Sequence, residues 1–265
     1  MPELPEVETV RRTLIDLEGG IIRDYVLYTP SILKRADFSL EEIKGRKIKS
    51  LRRRGKFLLF DLGEQQLLVI HLGMSGRLFR VDPETEKEKH LHFAFQVGEV
   101  RIHYVDPRRF GGIRLINNEA EFFARMGPEP LGKSRIEGLE QKLAKRKSPI
   151  KTTLLDQSIV AGIGNIYADE ILFAAGIDPR KPCADLNKQE LKLLQQHIPR
   201  ILEESIASRG TTFRDYRDGE GNPGDFAASL AVYGRTGEPC LRCGTPVESV
   251  RLGGRSTHYC PHCQH

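Results

Sequence analysis

Four of the five cysteines lie in the last 26 residues, as two Cys-x2-Cys pairs. Sixteen residues separate the pairs, and this spacing lets two short turns supply four thiolates to one tetrahedral zinc ion. The start of the chain is acidic and interrupted by prolines, unlike a secretory signal, so a disulfide framework is disfavoured. His258 and His262 are alternative ligands, but they would break the symmetry of the two pairs. We therefore predict one structural Zn²⁺, held by Cys240, Cys243, Cys260 and Cys263.

Between two predicted helices lies a glycine-containing turn with the sequence VAGIGNIY. Gly162 and Gly164 permit a tight turn, and Asn165 stands where it would cap the next helix. The N–H groups at such a helix start can hold a phosphate, and Lys147 and Lys151 lie just upstream to assist. The plain alternative is a pair of helices joined by a turn that binds no ligand.

Basic residues are clustered. The chain has 41 Lys and Arg against 36 Asp and Glu, a net charge of +5 and a pI near 8.9. Eight of the thirteen residues from 44 to 56 are basic, and a second cluster spans 145–151. One such run is typical of a solvated face, whereas two distant runs favour a nucleic-acid partner.

The composition is that of a globular protein, with 39% hydrophobic and 29% charged residues. No apolar run approaches the roughly 18 residues that suggest a membrane span. Apolar residues at helical spacing predict a helix over 5–17, and from about 21 to 116 the pattern changes to short strands. The clearest predicted strands are 56–60, 66–70, 93–97 and 100–104.

After about residue 117 the periodicity is helical. The breaker-rich segment 126–132 predicts a domain boundary, and Asn187 with Glu190 predicts a capping box. The polar stretch 210–225 has the composition of a mobile loop, either a lid or a linker, and the cysteine-rich end predicts a β-hairpin. Helices are predicted near 134–147, 151–157, 165–175 and 187–208, the last kinked at Pro199.

Three of these segments resemble motifs of the bacterial formamidopyrimidine-DNA glycosylase family. They are the opening PELPEVETV from Pro2, the segment QSIVAGIGNIY from Gln157, and the end GRSTHYCPHCQ from Gly254. They follow one another in the family's order from residue 2 to 264. The resemblance implies an α+β fold with an N-terminal helix and antiparallel β-sandwich, then a helix–two-turns–helix region that ends in a zinc finger. We expect domains at 1–130 and 131–265, with the finger at 235–265.

The resemblance also implies catalytic roles. Once Met1 is removed, Pro2 offers a secondary amine that can attack the sugar C1′ and form a Schiff base. Glu3 matches the acid that protonates the sugar ring oxygen, and burial would have to raise its pKa against the dipole of a helix start. Lys56 matches a lysine that contacts phosphate and assists at the opened sugar. Arg255 matches the arginine at the tip of the finger, which is linked to phosphate binding and the second elimination.

Other matches are to DNA-contacting residues. Met74, Arg109 and Phe110 match the trio that fills the gap left by an extruded nucleotide. His90 matches a phosphate-contacting histidine, and Leu91 replaces an aspartate that is usual in the family. The predicted DNA contacts are His90, Arg109, Lys147, Lys151, Asn165, Met74 and Phe110.

The resemblance therefore implies a bifunctional DNA glycosylase and AP lyase of base excision repair. Its substrates would be oxidised purines in duplex DNA, including 8-oxoguanine and formamidopyrimidines. We expect a monomer in the bacterial cytoplasm, associated with the nucleoid through DNA and not with a membrane. Two alternatives are an endonuclease VIII-like glycosylase for oxidised pyrimidines and a catalytically silent, zinc-dependent DNA-binding protein.

Overall fold

The computed structural model describes residues 2–132 and 136–265. Its first helix, α1, spans Leu4–Thr13 and begins where Glu3 and Glu6 form a reciprocal capping box. The side chain of each glutamate accepts the backbone N–H of the other, so two N–H groups of the first turn are satisfied. The predicted helix over 5–17 is confirmed as far as Thr13, and a 3₁₀ turn follows at Ile15–Leu17.

Residues 22–116, all of them described, contain nine strands in two sheets. The first sheet has the order β1-β7-β8-β6 and the second the order β2-β9-β5-β4-β3. Neighbouring strands are antiparallel except for β2 and β9, so the predicted antiparallel sandwich is confirmed with one parallel pair. The strands are β1 Ile22–Leu27, β2 Leu33–Ala36, β3 Ser50–Arg54, β4 Phe57–Gly63, β5 Gln66–His71, β6 Arg77–Val81, β7 Leu91–Val97, β8 Val100–Val105 and β9 Gly112–Ile116.

Both sheets and α1 contribute to one hydrophobic core. Phe60 of β4 and Phe95 of β7 meet edge to face, with ring centroids 5.5 Å apart, where the two sheets face each other. Val7 and Val10 of α1 are fully buried in the same core. Burial of each such side chain contributes about 1.5–3 kcal/mol, so packing fixes α1, and with it the N-terminal residues, against the sandwich.

The chain divides into two compact units. The first contains residues up to Arg125 together with 206–227, and the second contains 126–205 and 228–265. The expected division at 130 assigned 206–227 to the second domain, whereas these residues lie with the first. The backbone N–H of Thr211 donates to Glu6 Oε1 at 2.8 Å, and that of Gly219 donates to Thr13 Oγ1 at 2.9 Å. Segment 210–225 is therefore bonded to α1 along its length and is not a simple linker.

The second unit contains most of the remaining helices. Helix α6 begins with the predicted capping box, because Asn187 and Glu190 exchange side-chain-to-backbone hydrogen bonds of 2.9 Å. It continues through Pro199 as one helix. The predicted start of a helix at 134 lies outside the described residues, and the described helix there is shorter. The helices after the sandwich are α2 Glu119–Phe122, α3 Leu139–Leu143, α4 Ile150–Leu154, α5 Asn165–Ala175 and α6 Lys188–Ala207.

The chain ends in the predicted hairpin. Strands β10 Glu248–Leu252 and β11 Arg255–Tyr259 pair antiparallel and are joined by Gly253 and Gly254, both with positive φ. Glycine adopts this left-handed conformation without the strain that a side chain would add. Among the described residues, no helix is both long and apolar enough to cross a membrane.

Candidate active site and nucleic-acid interface

A cleft of about 200 Å³ opens beside the start of α1, within the first unit. Pro2 is buried and forms part of its wall. Once Met1 is removed, the amine of Pro2 is a nucleophile at the wall of a cleft that a substrate can enter. The other lining residues are Met74, Ser75, Gly76, Arg108, Thr211, Phe213, Arg214, Asp215 and Tyr216.

Two buried carboxylates organise the residues around Pro2. Glu3 and Glu6 are each 1% exposed. Glu6 Oε2 accepts the N–H of Glu3 at 2.7 Å, and Glu6 Oε1 accepts the N–H of Thr211. Tyr216 also donates its hydroxyl to the carbonyl of Glu6 at 3.3 Å. Glu6 thus holds the lining segment 211–216 to the start of the helix, while Glu3 places a carboxyl group directly after Pro2.

Lys56 lies in the tight turn between β3 and β4 and is its second residue. Gly55 has a φ of +55°, which allows the two strands to be joined without a longer loop. Burial lowers the pKa of the neighbouring His71 to about 4, with further lowering by the charges of Arg114 and Lys56. The N–H of Gly73 donates to His71 Nδ1 at 3.2 Å. His71 is therefore neutral near pH 7 and carries its proton on Nε2, which makes it a hydrogen-bond donor.

Asp106 joins the two loops that carry the exposed apolar residues. This fully buried carboxylate accepts the Ser75 hydroxyl at 2.7 Å and the N–H of Gly111 at 2.9 Å. Met74 and Phe110, which flank these contacts, are 40% and 58% exposed. Their exposure suits side chains that insert between bases.

The turn before α5 is fixed by Gln157. Its amide nitrogen donates to the carbonyl of Ile163, and its oxygen accepts the N–H of Gly162, both at 2.9 Å. Asn165 was expected to cap α5, but the cap is Gly164, whose backbone is extended, and Asn165 is the first residue of the helix. Its side chain instead donates to the carbonyl of Ser256 in β11 at 3.0 Å. The turn and the zinc hairpin are thus joined directly.

The four paired cysteines converge. All four Sγ atoms lie within 4.8 Å of one another, with Cys240 and Cys263 at 4.0 Å and Cys243 and Cys260 at 3.5 Å. A zinc tetrahedron with Zn–S bonds of about 2.3 Å needs sulfur atoms about 3.8 Å apart, so the arrangement fits this ion. Among the described residues, the metal-binding cluster consists of these four cysteines and does not include His258, whose Nδ1 lies 3.1 Å from Asp169 Oδ2.

Family models match three parts of the chain. The formamidopyrimidine-DNA glycosylase N-terminal domain matches residues 1–113, the H2TH domain of the same enzymes matches 126–217, and the zinc finger found in FPG and IleRS matches 237–265. Curated relatives called formamidopyrimidine-DNA glycosylase include those of Syntrophomonas wolfei and of Desulfitobacterium hafniense strain DCB-2. Each is 45% identical, with the full length of both chains covered. The chain belongs to the formamidopyrimidine-DNA glycosylase family.

Solved structures of the family agree with the fold. A mutant of the Lactococcus lactis FPG, in complex with Fapy-dG-containing DNA, superposes with a TM-score of 0.91 at 36% identity. MutM in complex with DNA that contains carbocyclic 8-oxo-G superposes with a TM-score of 0.90 at 36% identity. Both matches cover the whole of both chains. With the finger model and the cysteine geometry, they establish that this glycosylase carries one structural Zn²⁺.

One expected glycosylase residue is shifted by a position. We predicted Arg109 as the partner of Met74 and Phe110, whereas Arg108 lines the cleft with Met74. The guanidinium carbon of Arg108 also lies 4.7 Å from the centre of the Phe110 ring. Arg109 has a φ of +54°, which turns the chain between its two neighbours. Because two arginines are adjacent, the sequence could not show which one faces the cleft.

Lys151 does not lie where we predicted. Its side chain is fully buried, and the ammonium lies 2.7 Å from Asp169 Oδ1, 2.7 Å from the carbonyl of Ser256 and 2.9 Å from Thr257 Oγ1. A buried ammonium with three oxygen neighbours cannot reach a DNA phosphate without breaking this network, so the predicted phosphate contact is wrong for Lys151. Lys147 is exposed.

The departure from the family pattern at Leu91 has a local explanation. Leu91 is buried with Ala94 and Val105 in a small apolar cluster, so a carboxylate would have no place there. His90, one residue earlier, is exposed and has a φ of +66°. The phosphate contact expected of His90 stays a prediction.

The basic run at 44–56 is partly paired with carboxylates. Lys44 pairs with Asp24, Arg46 with Glu64 and Arg52 with Glu119, at 2.7–3.0 Å. The ion pairs therefore interrupt the positive charge of the run. The number of basic residues in the run overstates the charge that is available to DNA. Sequence reasoning also missed several organising residues: Glu6, Asp106, Gln157, Asp169 and Glu170.

Proposed function

We propose that this glycosylase removes oxidised purines, including 8-oxoguanine and formamidopyrimidines, from duplex DNA and then cleaves the strand as an AP lyase. The observation that carries the proposal is the buried Pro2 at the wall of an open cleft, followed at once by the buried carboxyl of Glu3. The relatives supply the substrate class, since solved members of the family hold DNA with Fapy-dG or 8-oxo-G analogues.

The chemistry begins at the N-terminus. The amine of Pro2 forms a bond to C1′ as the bond from C1′ to the base breaks, while Glu3 gives a proton to the ring oxygen of the sugar. The proton lost by the Pro2 nitrogen balances the one taken up by the departing base. The C1′–O4′ bond then breaks, the ring oxygen becomes the 4′ hydroxyl, and the remaining iminium makes the 2′ hydrogen acidic. Loss of that proton expels the 3′ phosphate, and a second elimination expels the 5′ phosphate. Lys56 and Arg255 bind the phosphates beside the opened sugar, and Arg255 assists the second elimination.

The extruded nucleotide leaves a gap in the duplex. We assign Met74, Phe110 and Arg108 to that gap: the two apolar side chains support the stacked bases, and the guanidinium pairs with the base that has lost its partner. This assignment rests on their exposure around the cleft and on the contact between Arg108 and Phe110.

Other residues hold the DNA backbone. His90, Lys147, Asn165 and Arg255 are assigned to phosphates, which position the duplex without reading its sequence. Arg255 begins β11 at the exposed tip of the zinc hairpin, where the guanidinium can extend toward DNA. One protein chain acts on one duplex, and a DNA-repair enzyme of this family works in the bacterial cytoplasm.

A comparison of substrates tests this proposal. The protein with its native Pro2 terminus is incubated with duplexes that carry one 8-oxoguanine, one formamidopyrimidine or one thymine glycol. We expect strand cleavage of the two purine substrates and much slower cleavage of thymine glycol. Preferential cleavage of thymine glycol would support the endonuclease VIII-like alternative, and cleavage of none would support a silent DNA-binding protein.

A further inference from the structure

Glu8 is a buried carboxylate of α1 that faces three arginines. It is 7% exposed and accepts hydrogen bonds from Arg11 at 2.8 Å, Arg12 at 2.9 Å and Arg53 at 3.1 Å. Burial raises its pKa, but hydrogen bonds from Arg11 and Arg12, with the charges of Arg11 and Arg53, bring it down to about 2. Glu8 is therefore ionised at every pH at which the protein is assayed.

Arg53 connects this carboxylate to the turn that contains Lys56. Its side chain is 8% exposed, its Nε donates to Glu8, and its Nη1 donates to the carbonyl of Gly55 at 3.0 Å. The rigid guanidinium plane makes both bonds at once, which a lysine ammonium on a flexible chain does not reproduce. One end of the fork is fixed to α1 and the other to the hairpin turn.

The accepting carbonyl belongs to the peptide unit whose nitrogen is that of Lys56. Since a peptide unit is planar, holding the oxygen of Gly55 also holds the backbone nitrogen of Lys56. The direction in which the Lys56 side chain leaves the turn therefore depends on the bond from Arg53. Helix α1 carries Pro2 and Glu3 at its start and Glu8 further along, so the same rigid element bears the nucleophile and the anchor for Lys56.

We propose that Arg53 and Glu8 are positioning residues that set the place of the Lys56 ammonium relative to Pro2 and Glu3. The inference deepens the proposed function and rests on it, since it presupposes that Lys56 acts beside the Pro2 adduct. The neighbouring ion pair of Arg52 and Glu119 differs from the buried pair of Arg53 and Glu8. Its side chains are 44% and 36% exposed, and it does not connect β3 to α1.

The bridge is distinct from the forces that fold this unit. Helix α1 is also held by the core residues Val7 and Val10 and by a hydrogen bond from Arg11 to the carbonyl of Leu51. If Arg53 is replaced, Glu8 keeps Arg11 and Arg12 as partners and is not left as an uncompensated buried charge. A variant at 53 should therefore fold, with its defect confined to the orientation of the turn.

The test is a double-mutant cycle between positions 53 and 56. Single-turnover cleavage of an 8-oxoguanine duplex is measured for the native-terminus protein, Arg53→Lys, Lys56→Ala and the double variant. Arg53→Lys keeps the charge but not the fork, and we expect the rate to fall on the order of 10- to 100-fold, as small misplacements of reacting groups do, with duplex affinity unchanged. The double variant should be no slower than Lys56→Ala, because Arg53 acts only through Lys56.

Matched controls separate positioning from charge and stability. Arg12→Gln removes another arginine from Glu8, and Glu119→Gln breaks the exposed pair with Arg52; both should keep the wild-type rate. Glu8→Gln weakens the same connection from its end on α1. The rate should fall less than in Arg53→Lys, and this loss should also disappear when Lys56 is alanine.

A wild-type rate for both Arg53→Lys and Glu8→Gln would overturn the inference, as would additive losses in the double variants. A change in the salt dependence of DNA binding when Arg53→Lys is added to Lys56→Ala would also overturn it, because Arg53 would then touch DNA itself. Failure of the wild-type protein to cleave any duplex would overturn the proposed function, and this inference with it.

Discussion

Two tight β-hairpins each carry one cation of the proposed site, Lys56 in the first and Arg255 in the second. The two hairpins are stabilised in different ways. Lys56 lies in a turn with one positive-φ glycine, and Arg255 follows a turn with two. The strands around Lys56 bury Leu58 and Phe60 in the sandwich core. The strands around Arg255 are mostly exposed, with only Thr257 and Tyr259 buried.

In place of a hydrophobic core, the zinc hairpin has a metal site and a set of polar contacts. The four-cysteine site closes its base, and Lys151 and Asn165 both donate to the carbonyl of Ser256, next to Arg255. Asp169 accepts the N–H of His258 at 2.9 Å, and the neighbouring Glu170 accepts three backbone N–H groups from residues 231–233. The zinc hairpin therefore depends on a metal site and a few buried polar contacts, whereas the hairpin at Lys56 depends on apolar burial. The predictions below test that difference.

Zinc loss should have the largest effect. In Cys243→Ala we expect the second hairpin to unfold and DNA affinity to fall with it, because a zinc finger takes most of its folding free energy from the metal. Metal analysis should give one zinc per chain in the wild type and none in the variant, while calorimetry still shows the sandwich unfolding cooperatively. Cys183→Ala, which removes the one cysteine outside the site, should keep its zinc. Metal-free wild-type protein with full activity would contradict this account.

Loss of the buried ion pair between Lys151 and Asp169 should have the next largest effect. Lys151→Met leaves Asp169 buried without its ammonium partner, which costs about 3–5 kcal/mol in the free energy of unfolding. The double variant Lys151→Met/Asp169→Leu should recover much of that loss, because no charge remains buried. Denaturant unfolding of the second unit measures both variants. Equal losses in the single and double variants would show that the pair is not the source of the stability.

Loss of one phosphate contact should have a smaller effect, which is measured through the salt dependence of DNA binding. Lys147→Ala should lower the slope of log affinity against log salt by about 0.9, the value for one phosphate contact with duplex DNA, equally on damaged and undamaged duplexes. Lys192→Ala, another exposed lysine of the same unit, should leave the slope unchanged. A loss confined to the damaged duplex would argue against a contact to the backbone.

His71 should give the smallest effect, through pH. Its folded pKa of about 4 lies below its ordinary value of 6.5, so folding favours the neutral ring. This stabilisation is full above pH 6.5 and is lost as the pH falls toward 4. His71→Asn keeps an acceptor for the N–H of Gly73 but does not titrate, so its melting temperature should fall less over the same pH range. Parallel curves for variant and wild type would exclude His71 as the source.

The sequence predicts local features well. Alternating apolar residues located the strands, and the Asn187–Glu190 spacing located a helix start, because such patterns depend on residues close together in the chain. It failed where a partner is distant. Thr211 bonds to Glu6, 205 residues away, so the packing of 206–227 with the first unit could not be inferred from local patterns. Lys151 was expected at DNA because its partner Asp169 carries no signal of pairing in the sequence.

Borohydride trapping tests the central claim most directly. Borohydride added during reaction with 8-oxoguanine DNA should reduce the iminium and leave a stable protein–DNA adduct, and peptide mapping should place it on Pro2. Retaining Met1 should abolish the adduct while leaving DNA binding largely intact, and Glu3→Gln should bind but not excise the base. An adduct on Lys56, or full activity with a blocked terminus, would contradict the mechanism.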